Sequence, residues 1–149
     1  MRRRWIFVAG IVLFAAMQFV PYGHRRASSN VGMEPNWDSA RTRELFFRAC
    51  GDCHSNETRW PWYSQVAPVS WFTLWHVKEG RQQFNMSAWT SSMADDAHEA
   101  GHQIRNGKMP LRSYLLGHPE ARLTAGEKDE LIRGLQATVV ASSSDILTD

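Results

Sequence analysis

Cys50 and Cys53 stand three residues apart and His54 follows directly, in the stretch Cys50-Gly51-Asp52-Cys53-His54. They are the only cysteines among 149 residues. The pattern C-x-x-C-H is the attachment signal for c-type haem. Haem carries two vinyl groups, and a cysteine sulfur can join each of them as a thioether. Thiols three residues apart share one face of a helical turn, so they reach both vinyls together. His54 then offers a ring nitrogen to the iron. A thioredoxin-like redox pair would call for a βαβ pattern, and the chain shows no strand pattern. A structural zinc site needs four ligands, and there is no second C-x-x-C. A plain structural disulfide is the remaining alternative.

A c-type iron takes or tolerates a second axial ligand, commonly Met in cytochromes c. Lys108-Met109-Pro110 offers one. Proline disfavours helical geometry at the residue before it, so Met109 is expected in extended chain just past a helix that ends at Asn106-Gly107. From there its thioether could reach a metal; otherwise it is a packed core methionine. His76 and His118 are the rival ligands. A loop over residues 55–68 is broken by Pro61 and Pro68 and loaded with Trp60, Trp62 and Tyr63. With Trp71 and Trp75 of the next helix, these rings are candidate walls of a cofactor pocket, or else they close a small core.

His98-Glu99-Ala100-Gly101-His102 matches H-E-x-x-H. On a helix the two histidines would share a face and could hold zinc, with Glu99 as general base and His118 or Glu120 as a third ligand. The helix is short, acidic and interrupted by glycine, and the chain is small for a protease with a cleft. Two solvated histidines on an outer face are the plainer reading.

These residues need helices to position them. Asp38 is a candidate N-cap for a helix running to the cysteines, with Leu45/Ala49 and Phe46/Cys50 as its inner pairs. Residues 69–84 read as a helix with Trp71, Leu74, Trp75 and Lys78 on one face. Asp95 and Asp96 open another, where acidic residues suit the dipole, with a small-residue face of Ala97, Ala100, Gly101 and Ile104. Residues 114–122 read as a loop. Thr124 and Glu127 form a capping box before a final amphipathic helix carrying Leu131, Ile132, Leu135 and Val139.

The chain begins with Arg2, Arg3 and Arg4 and then an apolar run from Trp5 to Val20. A membrane span needs about 20 residues, with roughly 17 as the lower limit. Bulky Phe19 and Val20 stand where cleavage wants small residues, so a retained anchor is expected rather than a cleaved signal. The expected organisation is therefore an anchor over 1–22, a linker over 23–36, one helical domain over 37–141 and a frayed tail over 142–149. The formal charge is +2, but five arginines flank the leader (Arg25 and Arg26 at its far end). The remainder has 12 basic and 15 acidic residues, about −3 net. A mildly acidic body argues against nucleic acid as a partner.

The stretches CGDCHSNETRWPWYSQVAPVSWFTLWHVKEGR, NMSAW and GKMPLRSYLLGHPEARLTAGEKDELI together resemble the small bacterial haem-binding domain with a single c-type haem, over about Trp37 to Leu135. The resemblance implies an all-α, monohaem cytochrome c-like domain behind an N-terminal transmembrane helix. It implies one covalent haem c on Cys50 and Cys53, with His54 as axial ligand; by similarity to monohaem cytochromes c, Met109 would be the other. The expectation is a single-electron carrier rather than an enzyme. It would be held at the bacterial inner membrane with its domain in the periplasm, where c-type attachment takes place. Its partner would be a redox protein, with no small-molecule substrate. A haem-based sensor or peroxidase-like protein with an open distal site is the alternative, and a zinc metalloprotease through His98, Glu99 and His102 the remote one. The H-E-x-x-H stretch is not part of the resemblance.

Overall fold

A computed structural model describes residues 2–22 and 33–145. The fold is all-α, and the described residues contain no strand. The helices are α1 (Arg2–Met17), α2 (Ala40–Ala49), α3 (Gly51–His54), α4 (Val69–Gln83), α5 (Ala94–Arg105), α6 (Arg112–Gly117) and α7 (Ala125–Asp145), with short 3-10 turns at Trp62–Gln65, Ser91–Met93 and Pro119–Ala121.

The long helix α7 is the spine, and α5 and α2 pack on it. Their shared core is Leu45, Phe46 and Ala49 from α2, Ala97 and Ile104 from α5, and Leu131, Ile132 and Leu135 from α7. Phe84, Met86 and Leu123 fill in from the connections. Small residues set the crossings. A Cβ at Gly134 of α7 would collide with Thr42 of α2, and one at Gly101 of α5 would meet Ile132 Cγ2 at 3.3 Å. The capping box that starts α7 is formed reciprocally: Thr124 N donates to Glu127 Oε2 (2.9 Å) and Glu127 N to Thr124 Oγ1 (3.2 Å). Helix α5 ends at Arg105 with Asn106 as its C-cap, and Gly107 turns the chain with φ +67°, a conformation that favours glycine.

Several expectations are corrected. Ser39, not Asp38, caps α2: its Oγ accepts from Thr42 N at 3.1 Å. Asp38 N instead binds Thr138 Oγ1 at 3.1 Å. The tail expected from residue 142 is helical as far as Asp145; buried Ser142 takes a hydrogen bond from Asn36 N. Ser142, which read as tail, and Thr138 of α7 therefore tie down the chain entering α2. Residues 33–36 are tied to the domain, with Met33 O accepting from Trp89 N and Glu34 paired with Arg43. The rest of the expected linker, residues 23–32, lies outside the described residues, as do residues 146–149. Residues 114–122 are not a plain loop but contain the last four residues of α6 and the turn at Pro119–Ala121.

The apolar leader is helical, but no helix among the described residues is long and apolar enough to cross a membrane. Helix α1 has 16 residues, about 24 Å at 1.5 Å per residue, against a hydrocarbon core of about 30 Å. Beyond it, Gln18 leans on the domain: its side-chain amide donates to Ala67 O (3.2 Å) and accepts from Ala67 N (3.0 Å). The apolar side chains of α1 are exposed.

Candidate haem site

Cys50 is the joint between α2 and α3. Its N–H closes α2 on Phe46 O at 2.7 Å, and its carbonyl accepts from Cys53 N (3.1 Å) and His54 N (3.0 Å). The tight turn places both thiols and the imidazole on one wall. Helix α4 crosses α3 at Gly80, where a Cβ would lie 2.6 Å from the Cys53 carbonyl oxygen. Only glycine permits that approach.

Cys50, Cys53, His54 and Met109 all line one cavity of about 460 Å³. Phe46 and Ala49 of α2, Gly80 and Phe84 of the α4 segment, Ala100 and Ile104 of α5, and Leu135 of α7 complete most of its apolar wall. Residues separated by up to 89 positions in sequence, Phe46 and Leu135, thus meet at one space.

The imidazole of His54 is fixed. Its ring stacks on Phe84, with centroids 4.2 Å apart and planes 15° apart. Its Nδ1–H donates to Phe84 O at 3.3 Å; a carbonyl only accepts, so the proton is on Nδ1 and Nε2 carries the lone pair. Burial lowers the pKa of His54, which keeps the ring neutral at pH 7. A neutral ring whose second nitrogen is tied to a carbonyl is the usual state of a metal-binding histidine. Burial also pushes the thiols up, Cys50 to about 12 and Cys53 to about 11. Both cysteines are free, so the disulfide alternative is not formed. Met109 is anchored by its backbone, whose N–H donates to Gln103 O at 3.1 Å.

The expected aromatic wall is corrected. Trp75 lines the cavity; Trp60, Trp62, Tyr63 and Trp71 do not. Trp62 is 78% exposed. Tyr63 turns to His118, its hydroxyl 2.8 Å from His118 Nε2, and borders a separate cavity of about 190 Å³. The reason is the register of α4. Its buried residues are Ser70, Leu74, Val77 and Gly80, so Trp71 falls to the side, while Trp75 reaches the cavity from the helix flank.

His76 lines both cavities, with Nδ1 donating to Phe72 O at 2.9 Å. His118 is engaged at both nitrogens, by Tyr63 and by Glu120 (3.1 Å), and does not line the larger cavity. His98 and His102 lie on α5 with ring centroids 6.1 Å apart, and Glu99 accepts from Gln103. Among the described residues no group of three or more His, Cys, Asp or Glu side chains could hold a metal ion.

Reading the sequence missed Gly80, Phe84, Asp52 and Tyr114. A glycine inside a helical run is a usable sign of close approach. Nothing local announces the other three. Asp52, 5% exposed, accepts from Arg59 N (2.9 Å), Arg59 Nε (3.3 Å) and Tyr114 Oη (2.7 Å).

The cavity, the neutral lone pair, the two free thiols and the nearby thioether together fit a haem. The fold and site define a small all-α haem-binding module. The family model described as a haem-binding domain matches residues 12–137, and the chain belongs to that family. The match begins inside α1 and ends within α7. No curated protein and no solved structure matches the chain.

Proposed function

We propose that the chain carries one haem, joined covalently to Cys50 and Cys53, and passes single electrons to a redox protein partner. The observation that carries this reading is the convergence of Cys50, Cys53, His54 and Met109 on one cavity. Bound there, haem supplies a one-electron iron couple.

The residues of the chain do the rest. Cys50 and Cys53 would hold the group as thioethers, each S–H adding across one vinyl C=C to give one C–S and one C–H bond, with no net gain or loss of electrons. His54 offers Nε2, and its bond to Phe84 O holds the tautomer and the ring plane. Met109 offers a soft, neutral thioether, which favours the ferrous state and raises the potential. With His54 and Met109 both committed to the group, no position would be left for a substrate, so the reading is a carrier rather than an enzyme.

We place the domain at the outer face of the bacterial cytoplasmic membrane, with the leader as its tether. Support comes from the family resemblance and from the three arginines ahead of an exposed apolar helix. Retention in the membrane fraction through a high-salt wash tests the tether; a soluble mature form beginning after about residue 20 would show a cleaved leader.

The ligand assignment is tested by spectroscopy. The ferric protein is expected to show the weak far-red band of sulfur-to-iron charge transfer. Met109→Ala should abolish the band, lower the potential and open the iron to imidazole or cyanide. His76 is the rival because it lines the same cavity with Nδ1 already bound. A band and potential unchanged in Met109→Ala, with a low-spin spectrum lost in His76→Ala, would give the position to His76.

A further inference from the structure

Met109 lies on a segment held from both ends. On its N-terminal side, Lys108 N and Met109 N both donate to Gln103 O, at 3.0 and 3.1 Å, which fixes the segment to the end of α5. On its C-terminal side, α6 begins at Arg112, and α6 has no buried residue. Apolar burial therefore does little to hold it. Its hydrogen bond to another helix comes from Tyr114, whose hydroxyl donates to Asp52 Oδ2 at 2.7 Å across 62 positions of sequence.

Asp52 is a firm anchor for that bond. It sits inside the Cys50–His54 turn and is 5% exposed. Besides Tyr114, its carboxylate takes hydrogen bonds from Arg59 N, Nε and Nη2 at 2.9, 3.3 and 3.5 Å. Burial, followed by the bond to Asp52, raises the pKa of Tyr114, so the phenol stays protonated and keeps donating. The ring of Tyr114 lines the larger cavity together with Met109, Pro110 and Leu111.

We propose that the Tyr114–Asp52 hydrogen bond is a clasp that ties the segment bearing Met109 to the turn bearing Cys50, Cys53 and His54, with Tyr114 a positioning residue for the second axial ligand. The clasp rests on the assignment of Met109 to the iron. Each half of the site is locally ordered by its own hydrogen bonds; this bond fixes the distance between them.

The test uses the full-length, haem-loaded protein, with imidazole titrated into the ferric form and the far-red band as the second readout. Tyr114→Phe keeps the ring and removes the donor. It should raise imidazole affinity about tenfold, equivalent to ~1.4 kcal/mol, and weaken the far-red band while the haem stays attached. Tyr63→Phe, which removes the bond to His118 instead, should stay within twofold of wild type. If Tyr114→Phe fails to mature, Arg59→Gln loosens Asp52 from the other side and should move affinity the same way, by a smaller factor. Tyr114→Phe within twofold of wild type, or Tyr63→Phe with an equal effect, overturns the clasp. If Met109→Ala keeps the far-red band, the ligand assignment fails and the clasp falls with it; if it loses the band while Tyr114→Phe changes nothing, the clasp alone fails.

Discussion

Gly80→Ala probes the contact on which the attachment turn rests. A Cβ added at Gly80 would lie 2.6 Å from Cys53 O and 3.0 Å from both Cys53 C and Cys53 Cβ, where ordinary contacts start at 3.4 Å. Helix α4 must therefore back away by about 0.8 Å, measured against the carbonyl oxygen. Two of the three contacted atoms are backbone, so no side-chain rotation relieves the clash. Overpacking of this kind costs about 1–3 kcal/mol, and a backbone-to-backbone collision belongs at the upper end. Alanine returns about 1 kcal/mol through better helix propensity. The expected net loss is about 2 kcal/mol. The displacement should also reach His54, because Phe84, which stacks on its ring and accepts from its Nδ1, follows α4 directly. Denaturant unfolding of the haem-loaded protein by far-ultraviolet circular dichroism should show a lower midpoint at unchanged slope, with an altered Soret band. Gly126→Ala on α7, where nothing lies within 4 Å, is the control and should be neutral or stabilising. A Gly80→Ala protein as stable as wild type, with the same spectrum, would refute the close packing of α4 on α3.

Glu127 should carry part of the acid sensitivity. The Arg48 guanidinium, followed by the Thr124 N–H, holds its carboxyl at about 2 in the folded chain, below an ordinary value of 4.5. A lowered folded-state pKa means that the stabilisation is present above about pH 4.5 and lost as pH falls toward 2. Glu127→Gln should flatten the stability profile in that window, and an unchanged acid limb would contradict it. Haem should remain with the denatured wild-type chain on a gel and extract into acid acetone from Cys50→Ser/Cys53→Ser; complete extraction from matured wild type would defeat covalent attachment. His98→Ala/His102→Ala should leave the absorption spectrum and iron content unchanged, whereas the loss of a stoichiometric zinc would restore the H-E-x-x-H reading.

The parts of the site that can be read from the chain are those whose chemistry forces adjacency. In the proposed attachment, two vinyls and one iron would require Cys50, Cys53 and His54 to be neighbours, and Pro110 marks Met109 as lying outside a helix. The partners that fix these groups are distant and leave no local trace. Phe84 meets His54 across 30 positions and Tyr114 meets Asp52 across 62. Helix α6, with six residues, is too short for a periodic pattern to mark it. The error on α4 has a different origin. The ring of Trp71 suggested a cavity wall, yet the helix turns Ser70, Leu74, Val77 and Gly80 inward, and of the two tryptophans Trp75 alone reaches the cavity. A helix that must approach the Cys53 carbonyl to within contact distance needs small residues at the crossing, and Gly80 is the residue that meets the requirement. The same logic places Gly134 against Thr42 and Gly101 against Ile132. Ring size shows which side chains gain most from burial, but close approach decides which face is buried. In a domain built around a turn of four residues, the glycine crossing sets the register and the tryptophans accommodate it.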